Sequence, residues 1–395
     1  MGTITKIILI KHAVETLGYF SEQLASAFWQ RGYDCYFIDY DRLYESLNGL
    51  GGFAVRGQSA LITFNFIGLG DEEIFRDETG RFVWDAYEME YLNILVDHPF
   101  YYHARLVHPL PRMKLFCVDR EHVSYVERFY PKQSVSFLPL AGNGSLTFGA
   151  KEAVIPYEQR AYDLVFTANY VPLAPLAQRI SAQEPEYRIF YQGILEDLLS
   201  DPVQSMDQVF ERHIKEELGG VPDVELCGAM AGMAVIDLYV RTYFRGEAVR
   251  TLAECGLKVD VFGAGWEELS CKKPQNIVRH GGQVTSERCV EAVQNARLSL
   301  NLMPWFKDGA HDRIFTAMLQ QTVALTDDSR YLREQFADGR ELKYFSLKET
   351  AALPEIASAL LRDTQVLEEM AVRGRKKAFT SHTWQQRALA LERKL

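Results

Sequence analysis

Lys6-Ile-Ile-Leu-Ile10 is a short apolar run; Glu15-Thr-Leu17-Gly-Tyr-Phe20-Ser-Glu-Gln-Leu24-Ala-Ser-Ala-Phe28 follows it, and then Cys35-Tyr-Phe-Ile38. The first run predicts a buried strand. In the second, Leu17, Phe20, Leu24 and Phe28 recur at spacings of three and four, which is one face of an amphipathic helix. Gly32, just after Arg31, is where that helix is expected to close. Cys35 to Ile38 predicts a second strand. Strand, helix and strand in this order make a βαβ unit, which implies a parallel sheet. Further strands are expected at Leu61–Ile67, Leu92–Val96, Lys114–Val118 and Ser134–Leu138, so the N-terminal part reads as one open α/β domain over residues 1–157.

Residues 142–159, with Gly142, Gly144, Gly149 and Pro156, are turn-rich and are read as a linker. After it the alternation restarts. Strands are expected at Asp163–Ala168, Lys258–Phe262, Asn276–His280, Arg297–Leu302, Thr322–Thr326 and Leu342–Phe345, with helices such as Glu287–Ala296 and Ile314–Gln320 between them. The fold class is therefore α/β, with two Rossmann-like, doubly wound parallel sheets. A helical block over residues 184–252 interrupts the second domain, which runs over residues 158–375. Ser346-Leu-Lys-Glu349 and Thr383-Trp-Gln-Gln386 both match the capping box that starts a helix. The last helix, within residues 376–395, carries Trp384, Ala388, Leu391 and Leu395 on one face and needs an apolar surface to lie on.

The chain has 395 residues, of which 43 are Lys or Arg and 53 are Asp or Glu, for a net charge of −10. At about 150 residues per domain the length suits two large domains. An acidic balance argues against nucleic acid as a partner, since such proteins carry a basic face that displaces counterions from phosphates. A local anion pocket remains compatible with it. Six cysteines, Cys35, Cys117, Cys227, Cys255, Cys271 and Cys289, show no CxxC pair and no zinc-like spacing, as expected of a reduced, cytoplasmic chain. The run Ile7–Ile10 is far shorter than a signal-peptide core, and Cys227–Val240, which contains Asp237, is too short to span a bilayer. Asn143-Gly-Ser matches a glycosylation acceptor pattern but reads as a turn in that compartment.

Several stretches could carry chemistry. Val261-Phe-Gly263-Ala-Gly265-Trp266 follows a strand, where paired glycines let backbone approach a ligand; many strand-to-helix turns carry glycine without one. The first strand runs into Lys11-His12-Ala-Val-Glu-Thr-Leu-Gly18, with a single glycine, so the dinucleotide fingerprint is missing, and no GxxxxGK[ST] occurs. Pro304-Trp-Phe-Lys-Asp308-Gly309-Ala-His311-Asp312-Arg313 leaves a strand and enters a helix. A loop with glycine, a helix N-terminus and a guanidinium suit a diphosphate; the alternative is a polar loop with Asp308 as a cap and Arg313 solvated. Asp119, Glu121 and His122 lie close together, but Asp119 reads equally as a helix cap, and one such cluster does not make a metal site. The basic run Arg373, Arg375, Lys376, Lys377 reads as a solvated helix face, with an anionic membrane contact as the alternative.

From Val259 onward the sequence resembles the C-terminal domain of the spore-maturation CgeB-like glycosyltransferases, a branch of the two-domain GT-B enzymes. The resemblance lies in Val261-Phe-Gly-Ala-Gly-Trp266, His280-Gly-Gly282, Ala296-Arg-Leu-Ser-Leu-Asn-Leu302, Arg313-Ile-Phe-Thr-Ala-Met318, Leu325-Thr-Asp-Asp328, Phe336-Ala-Asp-Gly339 and His382-Thr-Trp-Gln-Gln-Arg387, in that order. Tyr239-Val-Arg-Thr-Tyr-Phe-Arg-Gly-Glu247 and Phe166-Thr-Ala-Asn169 are also similar to that group. The N-terminal domain shows a general likeness through Val96-Asp97-His98-Pro99 and Leu138-Pro-Leu-Ala141.

The resemblance implies GT-B architecture, with two domains facing a cleft and a last helix that crosses back to the N-terminal domain. It implies a donor site in the second domain. Gly263 and Gly265 would pass close to the nucleotide, beside Asn169 and Trp266; His280 and Gly281 would meet the base; Gly309, Arg313 and the adjoining helix N-terminus would hold the diphosphate. In related enzymes two carboxylates separated by seven residues contact donor sugar and ribose. Here Asp308 takes the first place and Thr316 the second, with His311 or Asp312 as possible compensation. Such enzymes generally use no bound metal or other cofactor. An inverting reaction would need a base: Asp97 and His98 are the first choice and His12 the second, although an Asp or His beside Pro99 can also simply cap a turn. The implied function is a glycosyltransferase of the hexosyltransferase type that passes sugar from a nucleotide-sugar donor to a protein or glycan acceptor. Two alternatives keep the fold: a nucleotide-sugar-binding partner subunit with a decayed site, and a nonhydrolysing sugar-nucleotide epimerase.

Overall fold

The computed structural model describes residues 3–144 and 154–395. They form two units: residues 3–144 together with 381–395, and residues 154–380. Most of the linker expected over residues 142–159 lies outside the described residues.

In the first unit six strands, β1 (Lys6–Lys11), β2 (Asp34–Asp39), β3 (Ser59–Phe64), β4 (Glu90–Leu95), β5 (Met113–Cys117) and β6 (Val135–Phe137), alternate with helices α1 (Glu15–Trp29), α2 (Leu43–Phe53), α3 (His103–Leu106) and α4 (Arg120–Phe129). Every neighbouring pair is parallel, in the order β2-β1-β3-β4-β5-β6. All six residues of β3 are buried, as a central parallel strand covered on both faces requires. The helix face predicted from Leu17, Phe20, Leu24 and Phe28 is buried in α1. The strand expected over Leu61–Ile67 stops at Phe64 because Asn65 and Phe66 turn to positive φ, 51° and 60°. The Asn65 side chain accepts from Val96 N–H, and Asn93 accepts from Phe66 N–H, which holds that turn.

The final helix α15 (Trp384–Glu392) belongs to this unit and packs on α1. Trp384 is buried, with its ring centroid 5.2 Å from that of Phe20, and its indole N–H donates to Asn143 Oδ1 at 3.0 Å. Asn143 is thus a buried hydrogen-bond partner beside the bridge between Gly142 and Thr383, where a turn was expected. Glu392 pairs with Arg31 and accepts from Tyr33, while Arg387 donates to Leu140 O. Thr383 is the N-cap of α15 but makes no side-chain capping bond. Ser346 does cap, accepting from Lys348 N–H, although a short tight turn (347–352) follows before a regular helix begins.

The second unit repeats the plan with β7 (Tyr162–Thr167), β8 (Val259–Phe262), β9 (Ile277–Arg279), β10 (Ala296–Asn301), β11 (Val323–Thr326) and β12 (Lys343–Tyr344) in the order β12-β11-β10-β7-β8-β9. All neighbours are again parallel. Helices α5 (Leu173–Ser181), α6 (Pro185–Ser200), α7 (Met206–Leu218), α8 (Asp223–Ala231) and α9 (Ala234–Glu254) form the insertion between β7 and β8. Helices α10 (Ser286–Gln294), α11 (Asp312–Leu319), α12 (Arg330–Gln335), α13 (Leu353–Arg362) and α14 (Thr364–Ser381) complete it.

In an open sheet of this kind, strand order reverses at one place, and the loops there diverge to leave a crevice outside the carboxyl ends of the strands. The reversal falls between β1 and β3 in the first unit and between β7 and β10 in the second.

The packing of α15 gives a direct expectation. Trp384→Ala deletes a buried ring and its bond to Asn143, so urea-induced unfolding should show a loss of about 3–5 kcal/mol.

Candidate functional site

The loops after β7 and β8 are laced together. Tyr170 N–H donates to Ala264 O, Ala264 N–H donates to Asn169 Oδ1, and the indole N–H of Trp266 donates to Ala168 O at 2.7 Å. Gly263 and Gly265 make this possible. Both have positive φ, 147° and 87°, and a Cβ at Gly265 would stand 1.9 Å from Tyr170 O. Their freedom serves contact between two loops. Trp266 is buried and stacks on Tyr170, so its indole is part of the core beneath the loop rather than an open face for a nucleotide.

Arg313 opens α11 at the reversal point. Its Nη1 donates to Thr167 O at the end of β7, 3.0 Å away. His311 Nδ1 lies 2.6 Å from Asp312 Oδ1. Arg313 backs onto the same ring: its backbone N–H and its Nε approach that Nδ1 at 3.4 and 3.2 Å, and its Nη2 stands 2.9 Å from Nε2. Burial, then the Arg313 charge, pushes the His311 imidazole down to about 4, which keeps it neutral at pH 7. Burial opposes ionisation of Asp312 as well, yet His311 and Arg313 hold its carboxyl below the usual range. The three consecutive residues thus fix one guanidinium.

Two further guanidiniums come from α9. Asp237, Arg241 and Arg245 stand four residues apart and share a helix face. Buried Asp237 pairs with Arg241 at 2.5 Å, and Arg241 lies 4.2 Å over the ring of buried Trp305. Arg245 Nη1 donates to Asn169 O at 2.9 Å, and its guanidinium lies 5.8 Å over the same ring. Arg245 Nε is buried without a hydrogen-bond partner among the described residues. Burial, then the Arg313 and Arg241 charges, pushes Arg245 well below its usual value. Arginine does not give up its proton under ordinary conditions, so the group stays charged and its environment is unfavourable as it stands. An anion placed there would relieve both the repulsion and the orphaned N–H.

The remaining expected residues have other partners. Asp308 is buried and lies 3.5 Å from Arg330, and Gly309 O accepts from Ser329. Thr316 is buried on α11. His280 pairs with Asp260 at 2.7 Å and stacks flat on Phe262, while Gly281, at positive φ, has open space where a side chain would begin. Asp327, at the end of β11, accepts from Met303 N–H, and burial pushes its carboxyl up to about 7.

In the first unit His98 is buried against Phe100, His122 and Tyr125, with Nδ1 accepting from Phe100 N–H. Burial and His122 push it well below the ordinary histidine value. It caps a turn, the alternative open from the sequence, and does not present a basic nitrogen to solvent. Asp97 accepts from Asn65 Nδ2 at 3.0 Å and from Tyr102. His12, by contrast, ends β1 at the reversal point with φ 64° and an exposed ring. Its Nδ1 lies 2.6 Å from Asp39 Oδ1, so the proton sits there and Nε2 is left as a base. Burial works against the Asp39 carboxylate, but His12, Asp41 N–H and Lys11 hold it below its usual range. Among the described residues, His12, Asp39 and Asp41 also bring three ligand-type atoms within 4.8 Å of one another. Lys11 Nζ already stands 3.6 Å from the other Asp39 oxygen. Asp119 is the N-cap of α4, accepting from Glu121 N–H, and Arg373 donates to Arg340 O.

Residues 241–393 match the family described as glycosyl transferase-like. This span covers Arg241, Arg245 and Arg313. Among solved structures, the DNA-modifying enzyme β-glucosyltransferase, studied with and without uridine diphosphoglucose, is similar over 98% of each chain at 11% identity and a TM-score of 0.52. Sucrose-phosphate synthase from Thermosynechococcus elongatus is similar over 99% of this chain and 98% of its own, at 11% identity and a TM-score of 0.50. The Anabaena protein HepE in complex with UDP-glucose is similar over 99% of this chain and 100% of its own, at 9% identity and a TM-score of 0.50. The fold is GT-B. No curated protein sequence matches the chain. None of the described helices is long and apolar enough to cross a membrane.

A buried carboxyl in this GT-B sheet carries a pH signature. With its folded value raised to about 7, Asp327 keeps in the native state a proton that the unfolded chain, at its usual value of about 4, releases. Between those two values its contribution to stability therefore declines as pH rises. Asp327→Asn should flatten that part of the profile and unfold at higher urea than the parent at pH 8, with little difference at pH 4.

Proposed function

We propose that the chain is a metal-independent glycosyltransferase that moves a sugar from a nucleotide-sugar donor to a protein or glycan acceptor. The observation that carries this is the gathering of Arg241, Arg245 and Arg313 around Trp305 and the carbonyls of Thr167 and Asn169, at the reversal of the second sheet. A nucleoside diphosphate is the ligand that such a site suits. Its two phosphates bring the countercharge that Arg245 lacks, and Arg245 Nε supplies a donor.

In transfer, the C–O bond between the anomeric carbon and the diphosphate breaks while an acceptor oxygen bonds to that carbon. Charge builds on the leaving diphosphate, where fixed guanidiniums in a water-poor site stabilise it most. The acceptor proton goes to a base, and His12 is assigned that role. Asp39 holds the imidazole in the tautomer with Nε2 unprotonated and stabilises the imidazolium that forms. Asp97 and His98 are not assigned it, since their partners are structural.

Two outcomes test the assignment. Arg245→Ala should weaken UDP, GDP or dTDP-sugar binding, measured by titration calorimetry against the folded variant, by about 10- to 100-fold, the loss of roughly 1.5–3 kcal/mol expected for a charge-assisted contact. Unchanged affinity would remove the diphosphate role. His12→Ala should leave donor affinity within about twofold and lower transfer by about 100-fold or more, the usual weight of a general base. Full transfer in that variant would send the base elsewhere.

A further inference from the structure

Helices α6, α7 and α8 of the insertion enclose a cavity of about 430 Å³ that has no part in the arginine site. Tyr187, Phe190 and Tyr191 line it from α6, Ile214 and Leu218 from α7. Glu186 and Glu217 also border it, and of its apolar lining Tyr187 and Leu218 are exposed. Large apolar residues that face water together mark a place where something binds.

Charge says what kind of occupant. Between residues 184 and 233 the sequence has eleven Asp and Glu against three Lys and Arg, so this one segment supplies −8 of the chain's −10. Two of its three cations are already taken: Arg212 pairs with Asp197 and Lys215 with Glu211. Glu186 and Glu217 have no such ion pair among the described residues. Nucleotides, anionic membranes and a second copy presenting the same face would all be repelled. A helix with apolar residues at spacings of three and four and Lys or Arg on its flanks meets both requirements, apolar side chains for the aromatic cavity and cations for the carboxylates around it.

We propose that the insertion is a docking surface for a basic amphipathic helix of a partner protein, seated in the α6–α7–α8 cavity. This is separate from the donor site and does not depend on it.

The test uses the full chain and a short helical peptide with Leu on one face and Lys on the flanks, together with its Glu-for-Lys counterpart, followed by fluorescence anisotropy. The Lys peptide should bind saturably and weaken as salt rises. The charge-neutral pair Tyr187→Ser with Leu218→Ser, at exposed positions where folding is undisturbed, should weaken it about tenfold or more, as loss of apolar anchors does. Glu186→Gln with Glu217→Gln should reduce both affinity and its salt dependence. UDP binding should be the same in all of these variants, which separates failure here from failure of the donor-site reading. The proposal is overturned if the Glu peptide binds as tightly as the Lys peptide. It is equally overturned if the Tyr187/Leu218 variant binds the Lys peptide as the parent does, which would reduce the contact to unspecific charge attraction, or if the variants change the oligomeric state instead.

Discussion

Uncompensated positive charge is the constraint around which the second unit is arranged. Arg245 is held by one backbone carbonyl and one aromatic face, beside two other guanidiniums, with an N–H pointing at nothing. Such an arrangement costs stability in the free protein, since charges removed from water need partners. Around it the fold spends its rigid parts: the laced loops after β7 and β8, the His311–Asp312 clamp on Arg313, and the long helix α9 that carries Arg241 and Arg245 on one face. Strain and cost held this way are a familiar mark of a site waiting for its ligand.

The chain's charge is sorted between two places. Net acidity gave an argument against polyanionic partners, yet it comes almost wholly from the helical insertion, while the carboxyl end of the second sheet is basic. On the two proposals made above, the surfaces select opposite partners, a diphosphate in one and a basic segment in the other. A whole-chain charge hides this because it averages over both.

Much of the architecture was legible in the sequence. Among the described residues all twelve strands overlap the runs that predicted them, and the central ones, such as β3, are clearest because parallel strands buried on both faces must be apolar along their length. Ends were less legible: Asn65 and Phe66 leave the strand through side-chain bonds to residues some thirty positions away, which periodicity does not report. In the candidate site, Arg313 and its loop stood out from residue types alone. Gly263 and Gly265 stood out too, but what they accommodate is another loop of the same protein. Arg241 and Arg245 lay in a stretch noted only for its family likeness and were given no role, although Asp237, Arg241 and Arg245 form a charged stripe at four-residue spacing along α9, a signal that was there to read. His12 outranks His98 only once geometry is known, since both follow strands and the difference is burial and the Asp39 partner.

The central claim is that the three guanidiniums form a diphosphate site, and a crystal structure of the chain with bound UDP tests it most directly. The phosphate oxygens should lie at charge-assisted hydrogen-bond distance, about 2.7–2.9 Å, from Arg245 Nε and from Arg313, with Trp305 unmoved. A nucleotide bound elsewhere in the second unit, with Arg245 Nε still unpartnered, would contradict it.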